Sequence, residues 1–232
     1  MTRLQKKLRL DDAALKRIAQ SVQDAEKMTD GEIVVAAAKE SSRYNFWELL
    51  TAVIVSILIF VCLLPASDLI AAWFTRHFWK VPSWYLPAFY GITSFAFVAI
   101  LFYVANIPLI DRIIIPRVVR NACVTGRAFR LFTESGVHNT KTHSGILIFV
   151  SLLERQVRIL ADSGINEKIS QDMWNLIADD LAAGISKKQY EVAIIGAIQK
   201  CGDLLAQHFP AQKTEGDELP NNLILLENAG WN

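Results

Sequence analysis

The stretch LLTAVIVSILIFVCLLPAS, from Leu49 to Ser67, contains no charged residue. It begins about ten residues after EIVVAAA, Glu32 to Ala38, which follows an Asp-Gly turn signal and has the length and composition of a strand. A second uncharged run, Val81 to Ile110, comes soon afterwards. Each run is longer than the roughly 18 residues that favour a membrane-spanning helix. The sequence therefore predicts a transmembrane hairpin over residues 45–110, with spans at about 47–64 and 84–105.

The alternative is that both runs are buried core helices. The chain has 232 residues, 52% of them hydrophobic, and its mean hydropathy of +0.27 is concentrated in these two runs. A soluble domain of the remaining size could not cover both helices, so we favour the membrane. Tryptophan and tyrosine residues cluster at the ends of the runs, as is common at the headgroup level of a bilayer. The segment 69–79 either lengthens the first span or lies in the interface, and the sequence leaves both readings open.

Basic residues near the spans predict the orientation. Seven lie on the two flanks outside the hairpin, and two lie in the connection between the spans: Lys27, Lys39, Arg43, Arg112, Arg117, Arg120 and Arg127 against Arg76 and Lys80. Such an excess marks the cytoplasmic side. We therefore predict a multi-pass protein of the cell inner membrane with both termini in the cytoplasm. Overall, 24 basic and 23 acidic residues nearly cancel, which gives no indication of a nucleic-acid partner.

The regions outside the hairpin predict alternating helices and strands. A helix over 10–28 has Asp11 as N-cap, and a helix from Pro116 to about Glu134 ends at Gly136. Apolar strands follow at 145–152 and 156–162, joined by a tight turn at Glu154-Arg155. Two further helices are predicted. One is capped by Ser170 and stops near Gly184; the other opens with a capping box at 186–189 and ends before Pro210.

The hairpin is therefore predicted to interrupt a single α/β domain. The strand at 32–38 is too short and apolar to stand alone, so we expect it to pair with the strand at 145–152. The first part of the domain is residues 10–44 and the second part is 111–210. The polar tail, 211–232, is predicted to be disordered, although LILLE near its end is a candidate docking segment.

Three stretches resemble the TPM domain family, named after thylakoid and membrane proteins, and especially its bacterial membrane-protein branch with an internal transmembrane hairpin. They are TDGEIVVAAAKES, LFTESGVHNTKTHSGILIFVSLLERQVRILADSGINEKI and AIIGAIQKCGDLLAQHFP, within residues 10–210. The resemblance implies a small mixed sheet with helices on both faces. It also implies functions that range from acid phosphatase or metal binding to assembly factor or receptor accessory protein. The usual Asp-Arg of the family, in the turn between the two later strands, is Glu154-Arg155 here.

Carboxylates at strand ends and turns are the candidate metal ligands: Glu154, Asp162, Asp30 and Glu32. Such oxygen ligands suit Ca²⁺ or Mg²⁺, and Arg155 is the candidate for orienting a phosphate. The alternative is that these side chains only solvate the turns. No cofactor is certain from the sequence.

Three other patterns have simpler explanations. CVTGRAFR at Cys123 resembles a cysteine-phosphatase loop, but Phe129 stands where the arginine is needed and the segment is predicted to be helical. His138 and His143 lack a third zinc ligand nearby in sequence. The basic run after the second span predicts contact with lipid headgroups by Arg112, Arg117 and Arg120, and Arg127 and Arg130 continue it.

Two functions remain open. The first is a binding or accessory module, anchored in the lipid bilayer, for a membrane-protein partner. The alternative is a weak metal-dependent acid phosphatase. We favour the first because no complete catalytic set can be assembled from the sequence.

Overall fold

The structure is a computed structural model that describes residues 2–105, 107–140, 143–211 and 219–227, apart from the side chains of Pro108 and Leu109. The chain forms two units: Met1–Ser42 with Val118–Asn232, and Arg43–Arg117. We call them the α/β unit and the hairpin unit.

Four strands form the sheet of the α/β unit. They are β1 (Glu32–Ala38), β2 (Gly145–Ser151), β3 (Gln156–Ala161) and β4 (Ile224–Leu226). Their order is β3-β2-β1-β4; β1 runs parallel to β2 and β4, and β2 and β3 form an antiparallel hairpin. The predicted pairing of the first strand with the second is confirmed, and with it the mixed α/β sheet. Every residue of β1 and β2 is buried, which explains their unbroken apolar sequence.

Helices cover both faces of the sheet. The described helices of the α/β unit are α1 (Arg3–Leu8), α2 (Asp12–Glu26), α7 (Arg117–Glu134), α8 (Ser163–Asn166), α9 (Gln171–Ser186) and α10 (Tyr190–His208), where α7 includes the residue at the boundary. Alternate strand residues such as Val35 and Ile148 pack with α1, α2, α9 and α10. Their neighbours Val34 and Phe149 pack with α7. This two-sided arrangement confirms the predicted helices on both faces.

The register fixes the two ends of the sheet. Glu32 is opposite Gly145, and Ala38 is opposite Ser151. We call the first the amino end and the second the carboxyl end, after the direction of β1 and β2. Seven residues per strand place the two ends about 20 Å apart.

The hairpin unit is built from α3 (Asn45–Leu63), α4 (Ser67–His77), α5 (Tyr85–Ala105) and α6 (Pro108–Ile114). Helices α3 and α5 lie antiparallel: the Ser56 hydroxyl donates to the Ser94 carbonyl at 3.0 Å, and the Tyr90 hydroxyl donates to the Leu63 carbonyl at 3.0 Å. Two helical stretches, Asn45–His77 and Tyr85–Ala105, are long and apolar enough to cross a membrane by length and composition. Within the apolar 18-residue segment of each stretch, only 11% and 6% of the residues, respectively, are buried. The two apolar helices are therefore not buried core helices in this structure.

The segment at 69–79 mostly extends the first apolar helix. A single 3₁₀ turn, Leu64–Ala66, joins α3 to α4, so that 33 residues form one nearly continuous helical stretch. At 1.5 Å per residue its length is about 50 Å, well beyond the roughly 30 Å of a hydrocarbon core. Near its end, Phe74 and Phe78 make edge-to-face contacts with Tyr85 at the start of α5.

The structure corrects two predictions about helix caps. Ser170 precedes α9 but makes no side-chain cap, and α10 begins only at Tyr190, where Gln189 makes no side-chain cap. The predicted capping box is therefore wrong, whereas the predicted stop near Gly184 lies two residues before the observed end of α9 at Ser186. Gly184 serves a different purpose: a Cβ there would lie 2.5 Å from the Ala193 Cβ, so the glycine allows α9 and α10 to pack closely.

The prediction of a disordered tail is wrong for part of its length. Ile224–Leu226 forms β4 beside Ala36–Ala38, while residues 212–218 and 228–232 of that predicted region lie outside the described residues. The N-terminal helix α1 was not predicted. Its Leu4 and Leu8 are 2% and 1% exposed and extend the core beyond the predicted start at residue 10.

Candidate functional site

Three of the four predicted carboxylates lie at the amino end of the sheet. Asp30 and Glu32 precede and begin β1, and Asp162 follows β3. The Asp162 backbone N–H donates to the Gly145 carbonyl at 2.9 Å, and that of Glu32 donates to the Ser144 carbonyl at 3.2 Å. Both residues therefore flank the start of β2.

Asp162 has two local partners at this end. Its carboxylate accepts a hydrogen bond of 2.6 Å from the Ser163 backbone N–H and caps α8. Its other oxygen lies 3.3 Å from Nδ1 of His143, an exposed residue with a left-handed backbone (φ 49°). The Glu32 side chain is buried. These contacts serve turn and helix-end structure.

The fourth carboxylate, Glu154, lies at the carboxyl end. Its side chain is 4% exposed. One oxygen accepts a hydrogen bond of 2.9 Å from the Ser41 backbone N–H, and the other accepts one from the Ser151 hydroxyl. The Ser41 and Ser151 hydroxyls are 2.8 Å apart. We call these three residues the Glu154 cluster.

Arg155 does not join the Glu154 cluster. It is exposed and has a left-handed backbone (φ 51°), whereas Glu154 points into the protein. A charged pair that orients a phosphate needs both side chains to converge, and the turn sends these two in different directions. The 20 Å length of the strands likewise separates Glu154 from Asp30, Glu32 and Asp162.

Among the described residues, the candidate carboxylates are not arranged as a Ca²⁺ or Mg²⁺ site. Calcium takes six to eight oxygen ligands and magnesium six. Among the described residues, no group of three or more His, Cys, Asp or Glu side chains is placed to hold a metal. Both oxygens of Glu154 already accept hydrogen bonds from protein groups.

The chemical role of the Glu154 cluster is to join the sheet to the chain that leaves it. Ser41 belongs to the segment that leads from β1 towards the hairpin unit, and Ser151 ends β2. A buried carboxylate without hydrogen-bond donors would cost several kcal/mol, and two donors from different segments satisfy this one. Ser41 and Ser151 were missed as site residues. The available signal was a serine three positions before Glu154 at the end of a wholly apolar strand.

We predict that Glu154→Ala lowers the free energy of unfolding by about 2–3 kcal/mol, because the buried Ser41 N–H and Ser151 hydroxyl lose their acceptor. The Cys201 thiol can report this change. It is fully buried, and burial raises its pKa to about 12, so it reacts only when the domain opens. The full-length protein is alkylated in mild detergent at rising urea concentrations, and mass spectrometry measures the modified fraction at Cys201. The urea concentration at half modification is the unfolding midpoint. The control is Glu167→Ala, which removes an exposed glutamate. It should change the free energy of unfolding by less than about 0.5 kcal/mol.

The basic run is not one continuous exposed surface. Arg117 and Arg130 are exposed, Arg112 and Arg120 are half-buried, and Arg127 is 8% exposed. Desolvation lowers the pKa of Arg127, while the charge of Glu134 acts in the opposite direction. Arg127 therefore belongs to the interior, and the exposed charge lies on the other members.

The remaining sequence candidates have structural roles. Cys123 lies within helix α7, as predicted, so CVTGRAFR does not form a phosphate-binding loop. The ring of His138 lies beside Phe132 with centroids 6.4 Å apart, and His143 contacts Asp162 as described above. No zinc-like grouping of these histidines occurs among the described residues.

The fold defines the class: an α/β protein with a four-stranded mixed sheet whose chain is interrupted by two apolar helices. Residues 113–204 match the family model of the TPM domain, in agreement with the resemblance found in the sequence. No curated protein matches the chain. Among solved structures, it is similar to the NMR structure of the BA42 protein from the psychrophilic bacterium Bizionia argentinensis. The TM-score is 0.54 at 21% identity, over 93% of this chain and 94% of that one, and this likeness concerns the fold alone.

Proposed function

We propose that this chain is an integral protein of the bacterial inner membrane that crosses it twice and keeps its TPM-like unit in the cytoplasm. In this proposal, the unit is a binding or accessory module for a membrane-protein partner. The carrying observation is the outward apolar surface of α3 and α5. Ile57, Leu58, Ile92 and Phe95 are all more than half exposed.

The energetics of this surface support a lipid environment. Fully burying one large aliphatic or aromatic side chain is worth about 1.5–3 kcal/mol. Many such side chains lie next to one another along both helices, far more than the scattered apolar residues of a soluble surface. A bilayer covers them without a further protein element. The basic residues on the two flanks support the cytoplasmic placement of both termini.

Arg112, Arg117 and Arg120 complete the proposed membrane contact. They follow the second apolar helix directly in sequence, and none is fully buried. Arginines immediately beyond a span attract anionic headgroups, each contributing about 1 kcal/mol near the surface. The cytoplasmic leaflet is the anionic one, which agrees with the proposed orientation.

A binding role is supported by the state of the Glu154 cluster. A catalytic carboxylate needs a face open to substrate or metal, and this one is enclosed and fully hydrogen-bonded. Glu154, the position that the family resemblance suggested, therefore stabilises the fold. The unit then acts through its surface.

Photo-crosslinking in membranes tests the binding role. A photoreactive residue at exposed surface positions of the α/β unit, such as Leu176 or Val192, should crosslink full-length protein to an integral membrane protein. The hairpin unit alone, residues 43–117, carrying the same label at Trp79, is the matched control. Equal crosslinking by both, or crosslinking only to soluble proteins, would argue against the module.

A metal-dependent phosphatase remains the second candidate. The observation in its favour is that Asp30, Glu32 and Asp162 share the amino end of the sheet. It predicts that millimolar Ca²⁺ or Mg²⁺ raises the urea midpoint of the full chain and that Asp162→Asn abolishes this rise. We expect no rise, because the Asp162 carboxylate already caps α8 and contacts His143. A rise that is lost in Asp162→Asn would favour the phosphatase.

A further inference from the structure

Arg127, in the middle of α7, is a buried arginine without an acceptor among the described residues. The residue is 8% exposed, and its Nε and Nη1 atoms are enclosed and make no hydrogen bond to that part of the chain. A guanidinium keeps its positive charge in proteins, and a buried charge without a partner is strongly unfavourable. The described residues therefore leave a charge at Arg127 that a further group can satisfy.

The opposite side of α7 is different, because its polar side chains have partners in the sheet. The Asn121 side chain accepts a hydrogen bond of 2.6 Å from the Gln156 side chain, and the Thr125 hydroxyl accepts one of 3.4 Å from Arg158. Both donors belong to β3. Arg127 follows Thr125 by two residues, which places it on nearly the opposite side of the helix. Strand β3 therefore supplies partners to one side of α7 and not to Arg127.

Two charged side chains act on Arg127 through space. Desolvation is the largest cause of its lowered pKa; the Glu134 carboxylate opposes this effect, and the charge of Arg130 adds to it. Glu134 makes no hydrogen bond to the enclosed nitrogens. Arg130 is three residues from Arg127, and the Cβ atoms of such pairs are about 5–6 Å apart. The two arginines repel each other, and an anion between them replaces this repulsion with two attractions.

An anion can approach this pair of arginines from solvent. Arg130 is exposed, and Nη2 of Arg127 is not one of the enclosed atoms. A ligand can therefore contact both guanidinium groups without opening the core beneath them. A carboxylate presents its two oxygens in one plane to a single arginine, whereas a phosphate has oxygens that point in several directions and can accept from both. The arrangement favours a phosphate group.

We propose that Arg127 and Arg130 form a binding site for a phosphate group, in which Arg127 supplies a fixed donor and Arg130 an exposed one. A phospholipid headgroup and a soluble phosphate ester share this chemistry. Both arginines belong to the α/β unit. The proposal goes beyond the headgroup contact proposed above, which concerns other arginines, and does not depend on the membrane crossing.

The urea midpoint of the full chain, measured by Cys201 alkylation in mild detergent, tests the site with inorganic phosphate as the probe. A ligand that binds only the folded protein raises this midpoint as its concentration rises, and the dependence gives an apparent dissociation constant. We expect phosphate to raise the midpoint above its value in chloride of equal ionic strength, and acetate to have no such effect. In Arg127→Met, the dissociation constant for phosphate should rise at least about tenfold, because a charged hydrogen-bond donor is lost.

The matched control is Arg9→Met, which removes an exposed arginine at the end of α1. It should change the dissociation constant by less than about twofold, because exposed charges are screened by salt. Arg127→Met should fold, because replacing a buried charge with an apolar side chain is often neutral or stabilising. If it does not fold, Arg130→Met takes its place. That variant changes only an exposed side chain, and the dissociation constant should rise at least about threefold.

The source of the phosphate is tested in bicelles. Phosphatidylcholine bicelles with and without phosphatidylglycerol replace the detergent, and no free phosphate is added. A rise in midpoint with phosphatidylglycerol that is lost in Arg127→Met assigns the site to a lipid headgroup. A rise with free phosphate alone assigns it to a soluble phosphate ester. Either result supports the site.

Three results would overturn the proposal. The first is a midpoint that neither phosphate nor phosphatidylglycerol raises, or that acetate raises equally. The second is a dissociation constant in Arg127→Met, or in the variant that takes its place, equal to that in Arg9→Met. The third is a phosphate effect that appears only after Glu215, Asp217 and Glu218, which lie outside the described residues, are replaced by their amides, because the chain's own carboxylates would then occupy the site. None of these results affects the crosslinking experiment, so this proposal and the proposed function can fail separately.

Discussion

Replacing residues 43–117 with a Gly/Ser linker of about eight residues should give a protein that is soluble without detergent and unfolds in one cooperative transition. The replaced segment is the entire hairpin unit, and it carries the exposed apolar surface of α3 and α5. The two core clusters of the α/β unit contain no residue from it. We therefore expect its removal to leave the sheet and both helix layers in place.

A short linker suffices because the chain leaves and re-enters the α/β unit near the same turn. On the leaving side, the Ser41 N–H is bonded to Glu154. On the returning side, the Asn121 side chain accepts a hydrogen bond of 2.6 Å from the Gln156 side chain. Glu154 lies in the β2–β3 turn, and Gln156, two residues later, begins β3. An eight-residue linker reaches about 25 Å when extended, which exceeds this separation.

The matched control for this experiment is residues 118–232 alone. It lacks β1, the strand between β2 and β4, and every residue of β1 is buried. We expect no cooperative transition in urea and rapid alkylation of Cys201 without denaturant. Equal stability of the two proteins would show that the segment before the hairpin is not part of the domain.

Gly145→Ala should be among the most destabilising single substitutions in the α/β unit. A Cβ at this position would lie 2.2 Å from the Val137 carbonyl oxygen and 2.6 Å from the Val137 Cγ1. The oxygen belongs to the backbone, so the first strand residue of β2 or the turn before it must move. We expect a loss of about 3 kcal/mol, the upper part of the usual cost of overpacking.

The control substitution is Gly196→Ala, in helix α10. Among the described residues, no heavy atom outside the helix's own backbone lies within 4 Å of the added Cβ. Alanine is the better helix former by up to about 1 kcal/mol, so this variant should be equal to or more stable than the parent. Urea midpoints from Cys201 alkylation compare the two. A loss of similar size in both variants would contradict the close approach at Gly145.

The sheet was accessible to sequence reasoning because its central strands are unusually clear. EIVVAAA and GILIFVS are unbroken apolar runs between turn signals, and such runs occur where a strand is covered on both faces. Glu154-Arg155 marked the turn correctly, and Asp11 and Gly136 marked the ends of α2 and α7. Each of these features follows from the residues within one short window.

The features that were missed depend on distant parts of the chain. Strand β4 has three residues and exists because the edge of β1 is open to it, nearly two hundred residues earlier in sequence. Helix α1 has six residues and is held by the burial of Leu4 and Leu8. Gly184 looked like a helix stop, but its neighbour Ala193 lies on the next helix. The residues near each of these features in sequence do not indicate the distant contacts on which it depends.

The candidate site shows the same limit. Asp30, Glu32 and Asp162 could be assigned to strand ends, but which end each occupies follows only from the sheet order and register. Glu154 was identified as the residue at the family's acidic position. Its contact with Ser41 depends on the direction that the chain takes after β1, and the sequence does not show that direction.

Labelling with a membrane-impermeant maleimide tests the central claim, a cytoplasmic α/β unit split by a hairpin that crosses the membrane twice. In intact spheroplasts, a Ser83→Cys variant in the connection between the apolar helices should be labelled from outside. A cysteine appended after Asn232 should be labelled only after permeabilisation. Labelling of the appended cysteine in intact spheroplasts, or protection of the cysteine at position 83, would contradict the account.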